Sequence, residues 1–205
     1  MMQTQRIAWF AIFAAFLASL VLAVSIVGLF GTERGVGMAL AATARLAFPV
    51  FWFAYAGGAL ASLFGDALLP LKKHTRDFGL AFAAMMTVHL GLVVLLCIKG
   101  AAPSATTFII FGVAAIFTYL LALLSNRRIR ELVPDKHWPR IRALTMNYIA
   151  LAFFYDFAKF HASDFHALLK YFPFAILAVA GLMLRLAAWV TKERLEKVVV
   201  NNNSL

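Results

Sequence analysis

The sequence predicts an all-α, polytopic membrane protein, a bundle of six transmembrane helices with its N and C termini in the cytoplasm. Of its 205 residues, 63% are hydrophobic and only 14% are charged, which is far more apolar than an ordinary soluble domain. The apolar residues form six stretches long enough to cross a bilayer. Lysines and arginines concentrate in alternate connections, as expected where these connections stay on the cytoplasmic side.

The six predicted spans form one transmembrane domain and cover residues 7–30, 42–69, 78–98, 105–124, 141–160 and 168–190. Residues 31–37 (GTERGVG) predict a flexible turn, and residues 70–77 and 125–140 predict basic loops. Residues 191–205 are expected to form a frayed cytoplasmic tail. The basic residues predicted on the opposite side are few: Arg34, Arg45, Lys99, Lys159 and Lys170. We therefore expect a multi-pass protein of the inner membrane, in contact with lipid.

The composition also excludes several classes of function. In a soluble protein, a net charge of +10 would suggest a nucleic acid as binding partner. Here the basic residues lie in short loops between apolar stretches, where they set the membrane topology. No nucleic acid partner is therefore expected. The single cysteine, Cys97, excludes an internal disulfide and a Cys-x-x-Cys motif. No phosphate loop, flavin or nicotinamide fingerprint, or nucleophile elbow is present. Redox chemistry would need a bound cofactor, with a quinone or another protein as electron donor.

One ionisable residue lies deep inside the third predicted span. His89 is about 18 Å along the helix from the charged pair Arg76 and Asp77, beyond the middle of a hydrocarbon core about 30 Å thick. An ionisable side chain at that depth is a functional hypothesis by default. A neutral imidazole there suits haem iron or another metal. The alternative is a histidine that only hydrogen-bonds a neighbouring helix.

Small residues in the second predicted span indicate close helix packing. They recur at a spacing of about four, which lets another helix approach the backbone: Ala54, Gly57, Gly58, Ala61 and Ser62. The fifth span is the most polar, and its polar side chains should face the bundle.

A possible metal site follows the fifth span. Two imidazoles and a carboxylate, those of His161, Asp164 and His166, fall within six residues. Such groups bind zinc or similar ions. Their spacing matches no recurrent zinc motif, and short loops between spans often contain a histidine. Metal binding and an ordinary polar loop both remain open.

Two stretches resemble a known family. Residues 43–96 open with Thr43-Ala44-Arg45, pass through a basic loop ending in RDFGL, and reach TVHL around His89. Residues 137–157 read HWPRIRALTMNYIALAFFYDF, a tryptophan-led start to the fifth span. Both resemble the ferric reductase-like transmembrane family, most closely the haem-binding membrane subunit of the periplasmic methionine-sulfoxide reductase system.

The resemblance implies an electron-transfer subunit that binds b-type haem, with His89 as a ligand of the haem iron. The family's two fifth-helix histidines fall at Arg142 and at Tyr155 or Asp156. Tyr155 lies about 21 Å from the inner end of its helix, near the depth of His89, and tyrosinate is a known haem ligand. Candidate cofactor-binding residues are thus His89, Tyr155, Asp156 and Arg45.

Other hypotheses remain open beside haem binding. Tyr155 and Asp156 could instead form an interhelical hydrogen-bond cluster, with Arg45 or Lys159 neutralising the carboxylate. The protein would then be a haem-free structural subunit that binds a partner, lipid or quinone. A proton-coupled transporter using His89 and Asp156 is a third hypothesis, but no internal repeat favours it.

Overall fold

The described part of the chain is helical throughout. A computed structural model describes the backbone of residues 2–159 and 165–202 and the side chains of residues 9–158 and 170–194. These residues form six α-helices and one 3-10 turn (Asp66–Leu68): α1 (Met2–Phe64), α2 (Leu69–Ile98), α3 (Ala105–Leu124), α4 (Arg127–Arg130), α5 (Trp138–Lys159) and α6 (Phe165–Asn202). The predicted all-α class is confirmed for them.

Four helical segments are long and apolar enough to cross a membrane. They are Trp9–Phe64, Asp66–Ile98, Ala105–Leu124 and Lys170–Arg194, and they indicate a membrane protein. The first has 56 residues and would extend about 84 Å if straight, well over twice the thickness of a hydrocarbon core. α5 is not among the four because its polar side chains, including Arg142, Asn147 and Asp156, interrupt its apolar residues.

α1 is bent into a hairpin at Gly31. This glycine has φ 72° and ψ 168°, outside the helical region, and a positive φ costs glycine little because it has no Cβ atom. The arms, residues 2–30 and 32–64, pack closely beside the bend. A Cβ atom added to Gly35 would lie 2.9 Å from the Cα atom of Val27 and 3.0 Å from the carbonyl oxygen of Ile26. The predicted turn over residues 31–37 is therefore a bend at one residue.

α2 runs antiparallel to the second arm of α1. Near the hinge, the Lys99 ammonium donates to the Thr32 hydroxyl at 3.0 Å. At the other end, a Cβ atom on Gly57 would lie 3.0 Å from the Thr75 methyl carbon. His89 lies between these two contacts, about 14 Å along α2 from its C-terminal end. The pairing thus holds His89 against the middle of the second arm.

The small residues of the second arm divide into two sets. Ala54, Gly57 and Ala61 are buried, in agreement with the predicted packing role. A Cβ atom on Gly58 would meet nothing within 4 Å, and Ser62 is exposed. Close approach therefore depends on the first set, and Gly58 and Ser62 do not contribute to it.

Two predicted irregular segments are helical. Residues 70–77 belong to α2, which starts at Leu69 with a proline at its beginning, a position where the missing N–H of proline costs nothing. The turn before α2 lies instead at Gly65, which has φ 78°. α6 continues to Asn202, because the segment KERLEKVVV contains neither glycine nor proline to stop it. The structure thus has helix as far as Asn202 within the segment where the sequence predicts a frayed tail.

An aromatic core joins the second arm of α1 to α2 and α5. The ring centroid of Phe48 lies 5.1 Å from that of Phe153 and 5.0 Å from that of Phe157. Phe51 lies 5.1 Å from Phe82. Aromatic pairs at these distances stabilise beyond the area they bury. Such packing matters because helices within a membrane gain little from the hydrophobic effect.

Candidate functional site

A cavity of about 580 Å³ lies among the second arm of α1, α2, α3, α5 and α6. Its volume is in the range of pockets that bind small molecules and cofactors. Most of the lining is apolar, and the aromatic core supplies Phe82, Phe153 and Phe157. Polar side chains enter the lining at a few positions: His89, Thr107, Thr118, Asp156 and Tyr171.

Thr43 fixes the imidazole of His89. Oγ1 of Thr43 lies 2.9 Å from Nδ1 of His89 and 2.8 Å from the carbonyl oxygen of Ala39, one turn back in its own helix. Thr43 is fully buried. A threonine hydroxyl has a single hydrogen, and donating it to Ala39 leaves the oxygen free to accept from the Nδ1–H of His89.

This hydrogen bonding assigns the tautomer of His89. With the proton on Nδ1, the other nitrogen, Nε2, carries a lone pair. Because Nδ1 is turned towards Thr43, Nε2 is the nitrogen available to the cavity that His89 lines. A neutral imidazole whose Nδ1–H is held by an acceptor is the usual arrangement of a metal-ligating histidine.

Arg45 lies one turn of helix from the cavity lining at Ala41. Its guanidinium carbon is 4.2 Å from the ring centroid of Tyr171, which lines the cavity. The Nε atom of Arg45 is buried and has no hydrogen-bond partner among the described residues. A buried donor without a partner carries a desolvation cost, which an acceptor on a bound ligand would relieve.

The structure separates the two fifth-helix candidates. Asp156 lines the same cavity as His89, whereas Tyr155 is absent from its lining. The sequence predicts that Tyr155 lies near the depth of His89, with Asp156 as the alternative position for the family's second histidine. Of the two, Asp156 is the one that shares the cavity with the imidazole.

The possible metal cluster falls on residues that are not fully described. His161 and Asp164 lie outside the described residues, and His166 has a described backbone within α6 but no described side chain. Among the side chains that the structure describes, no three of His, Cys, Asp or Glu form a group that could hold a metal ion.

Several residues of the site were not predicted from the sequence. Thr43 was noted within a motif but not as the partner of His89, and α3 contributes Thr107 and Thr118 to the cavity. Tyr171 joins them from α6. Each of these residues carries a hydroxyl group within an apolar helix. Because polar groups within a membrane tend to face the bundle, these hydroxyls are the sequence signal that could have identified the residues.

No family model, curated protein or solved structure matches the chain. The resemblance to the ferric reductase-like family therefore stays a prediction. The chemistry of this site has to be argued from its own side chains and from the cavity they surround.

Proposed function

We propose that the chain is an integral membrane electron-transfer subunit of ferric reductase-like type that holds one b-type haem through Nε2 of His89. The observation that carries this proposal is the fixed imidazole. Thr43 engages Nδ1 at 2.9 Å, so Nε2 is available to a large apolar cavity. Histidine is a common axial ligand of haem iron.

The chemistry of the cavity fits such a group. A b-type haem needs an axial nitrogen, apolar walls for its macrocycle and partners for its carboxylates. His89 supplies the nitrogen, and the aromatic core with its aliphatic neighbours supplies the walls. Arg45, whose buried Nε has no partner, is the candidate partner for a carboxylate. The imidazole of His89 would be the side chain that holds the iron.

The residues of the chain would orient and insulate the group. When bound, a haem supplies one-electron transfer. Thr43 would keep the imidazole in one orientation and increase its basicity through Nδ1. The apolar lining would limit the access of water, which is one determinant of a redox potential. With no flavin or nicotinamide motif in the sequence, electrons would arrive from a partner protein or a quinone.

The proposal includes six membrane crossings with both termini in the cytoplasm. Each arm of the bent α1 is long enough to cross once, and α5 would cross as a polar helix held inside the bundle. We expect reporter fusions after Lys73, after Asp135 and at the C terminus all to report the cytoplasm, because basic residues concentrate in these regions. A periplasmic signal from any one fusion would contradict this topology.

Replacing Thr43 tests the fixed imidazole directly. Thr43→Val keeps the shape but removes the acceptor for Nδ1, and loss of such a partner typically weakens metal binding about 10- to 100-fold. We expect haem affinity to fall by this amount in a haem titration of the apoprotein. The midpoint potential of the bound haem should also shift.

Thr145→Val is the matched control. Thr145 is also buried, and its hydroxyl donates to the carbonyl of Ile141 at 2.8 Å, as Thr43 does to Ala39. No histidine is bonded to it. Equal haem affinity in the two variants would show that the hydroxyl of Thr43 has no particular role in the site.

A further inference from the structure

A second cavity, of about 180 Å³, lies at the end of the bundle away from the Gly31 hinge. It is formed where α3 ends and where α2 and α5 begin. Its polar lining comes from six side chains: Thr75, Arg76, Thr118, Ser125, Trp138 and Arg142. No lining residue is acidic. The cavity is smaller than a typical pocket for a drug-sized ligand, so it suits a small anionic group.

A third arginine adds to the positive charge beside this cavity. Arg185 of α6 contacts Tyr55, which follows the lining residue Ala54 in the second arm of α1. It is held in place by Tyr55, whose carbonyl oxygen accepts from Nη1 of Arg185 at 3.2 Å and whose ring centroid lies 4.5 Å from the guanidinium carbon.

Carboxylates among the described residues do not neutralise these arginines. The ion pairs formed between described side chains involve other residues: His74 with Asp77, Arg127 with Glu131, and Arg130 with Asp135. Arg76, Arg142 and Arg185 take part in none of them. Like charges that lie close together repel, and a bound anion would reduce that repulsion.

We infer that this cavity binds a phosphate group through Arg76 and Arg142, with Arg185 adding positive charge. The planar guanidinium presents paired N–H donors that match phosphate oxygens, and Thr75 and Ser125 add hydroxyl donors. Two sources share this chemistry, the headgroup of an anionic phospholipid and free phosphate. Basic pockets between transmembrane helices bind anionic headgroups, and Trp138 is of the residue type that anchors at the lipid interface. The inference does not depend on haem binding.

The test measures thermal unfolding of the full chain in nanodiscs. The probes are phosphatidylglycerol added to phosphatidylcholine, and inorganic phosphate added to phosphatidylcholine alone. We expect one or both probes to raise the Tm of the wild type by about 5 °C, the scale for a ligand near saturation. Arg142→Gln should lose this rise, and Arg142→Lys should keep part of it. Arg128→Gln, at an exposed arginine outside the cavity, should respond like the wild type.

Each outcome either tests whether the cavity binds phosphate or identifies the molecule that carries the phosphate group. A rise with phosphatidylglycerol alone identifies a lipid headgroup, and a rise with inorganic phosphate identifies the free ion. Should Arg142→Gln fail to fold, Arg76→Gln at an exposed side chain provides the second variant. The inference is overturned if neither probe stabilises the wild type, or if the folded Gln variant is stabilised as much as the wild type.

Discussion

His89→Ala is expected to abolish haem retention and, with it, the Soret absorption of the purified protein. The substitution removes the only side-chain nitrogen among the described residues that line the cavity. No group of three potential metal ligands exists elsewhere among these residues to replace it. The measurement is the ratio of Soret to protein absorbance after expression with ample haem supply. Size-exclusion chromatography on the same sample checks that the variant is folded.

His137→Ala is the control for this experiment. His137 is exposed and lies in the segment before α5, outside both cavities. Its replacement should leave the Soret band unchanged. A Soret band of wild-type intensity in folded His89→Ala protein would exclude His89 as the ligand.

Gly35→Ala is expected to destabilise the α1 hairpin by forcing its two arms apart. The new Cβ atom would lie 2.9 Å from the Cα atom of Val27, and backbone cannot move aside as a flexible side chain can. Overpacking of this kind costs about 1–3 kcal/mol, which corresponds to a fall in Tm of roughly 5 °C for a chain of this size. Differential scanning fluorimetry in detergent measures the change.

Gly37→Ala controls for the loss of a glycine in the same arm. A Cβ atom at Gly37 meets nothing within 4 Å, and alanine favours the helix over glycine. This variant should match or exceed the wild-type Tm. If Gly35→Ala and Gly37→Ala have the same Tm, the two arms do not approach each other at Gly35.

The helical architecture follows from composition and from the length of the apolar stretches. The exact form of the first connection does not, because one glycine with positive φ is enough to reverse the chain. Residues 32–37 continue as helix despite two further glycines, since packing of the second arm against α2 outweighs their low helix propensity. Local sequence signals cannot include that tertiary contribution.

The depth of His89 could be predicted, but its partner could not. Thr43 is 46 residues away in sequence, and only the antiparallel pairing of the second arm with α2 brings the two together. The depth of a residue in the membrane can be calculated from its position along the helix, because each residue adds about 1.5 Å. Which residue forms a hydrogen bond with His89 depends on how two helices pair. That pairing cannot be deduced from any single stretch of sequence.

The sequence also does not predict which of two neighbouring residues on a helix faces a cavity or another helix. Tyr155 and Asp156 differ in depth by about 1.5 Å but in direction by about 100°, and Asp156 is the one that lines the cavity. Gly57 and Gly58 differ in the same way, with Gly57 packed against α2 and Gly58 open. A prediction based on depth or spacing alone cannot choose between such neighbours.

The visible absorption spectrum of the purified wild-type protein, recorded before and after dithionite, tests haem binding most directly. The protein should be produced with ample haem supply, so that occupancy reflects the site. We predict a Soret band that shifts on reduction, as expected for a histidine-ligated b-type haem. Absence of Soret absorption in folded protein would contradict the proposal and favour a haem-free membrane subunit.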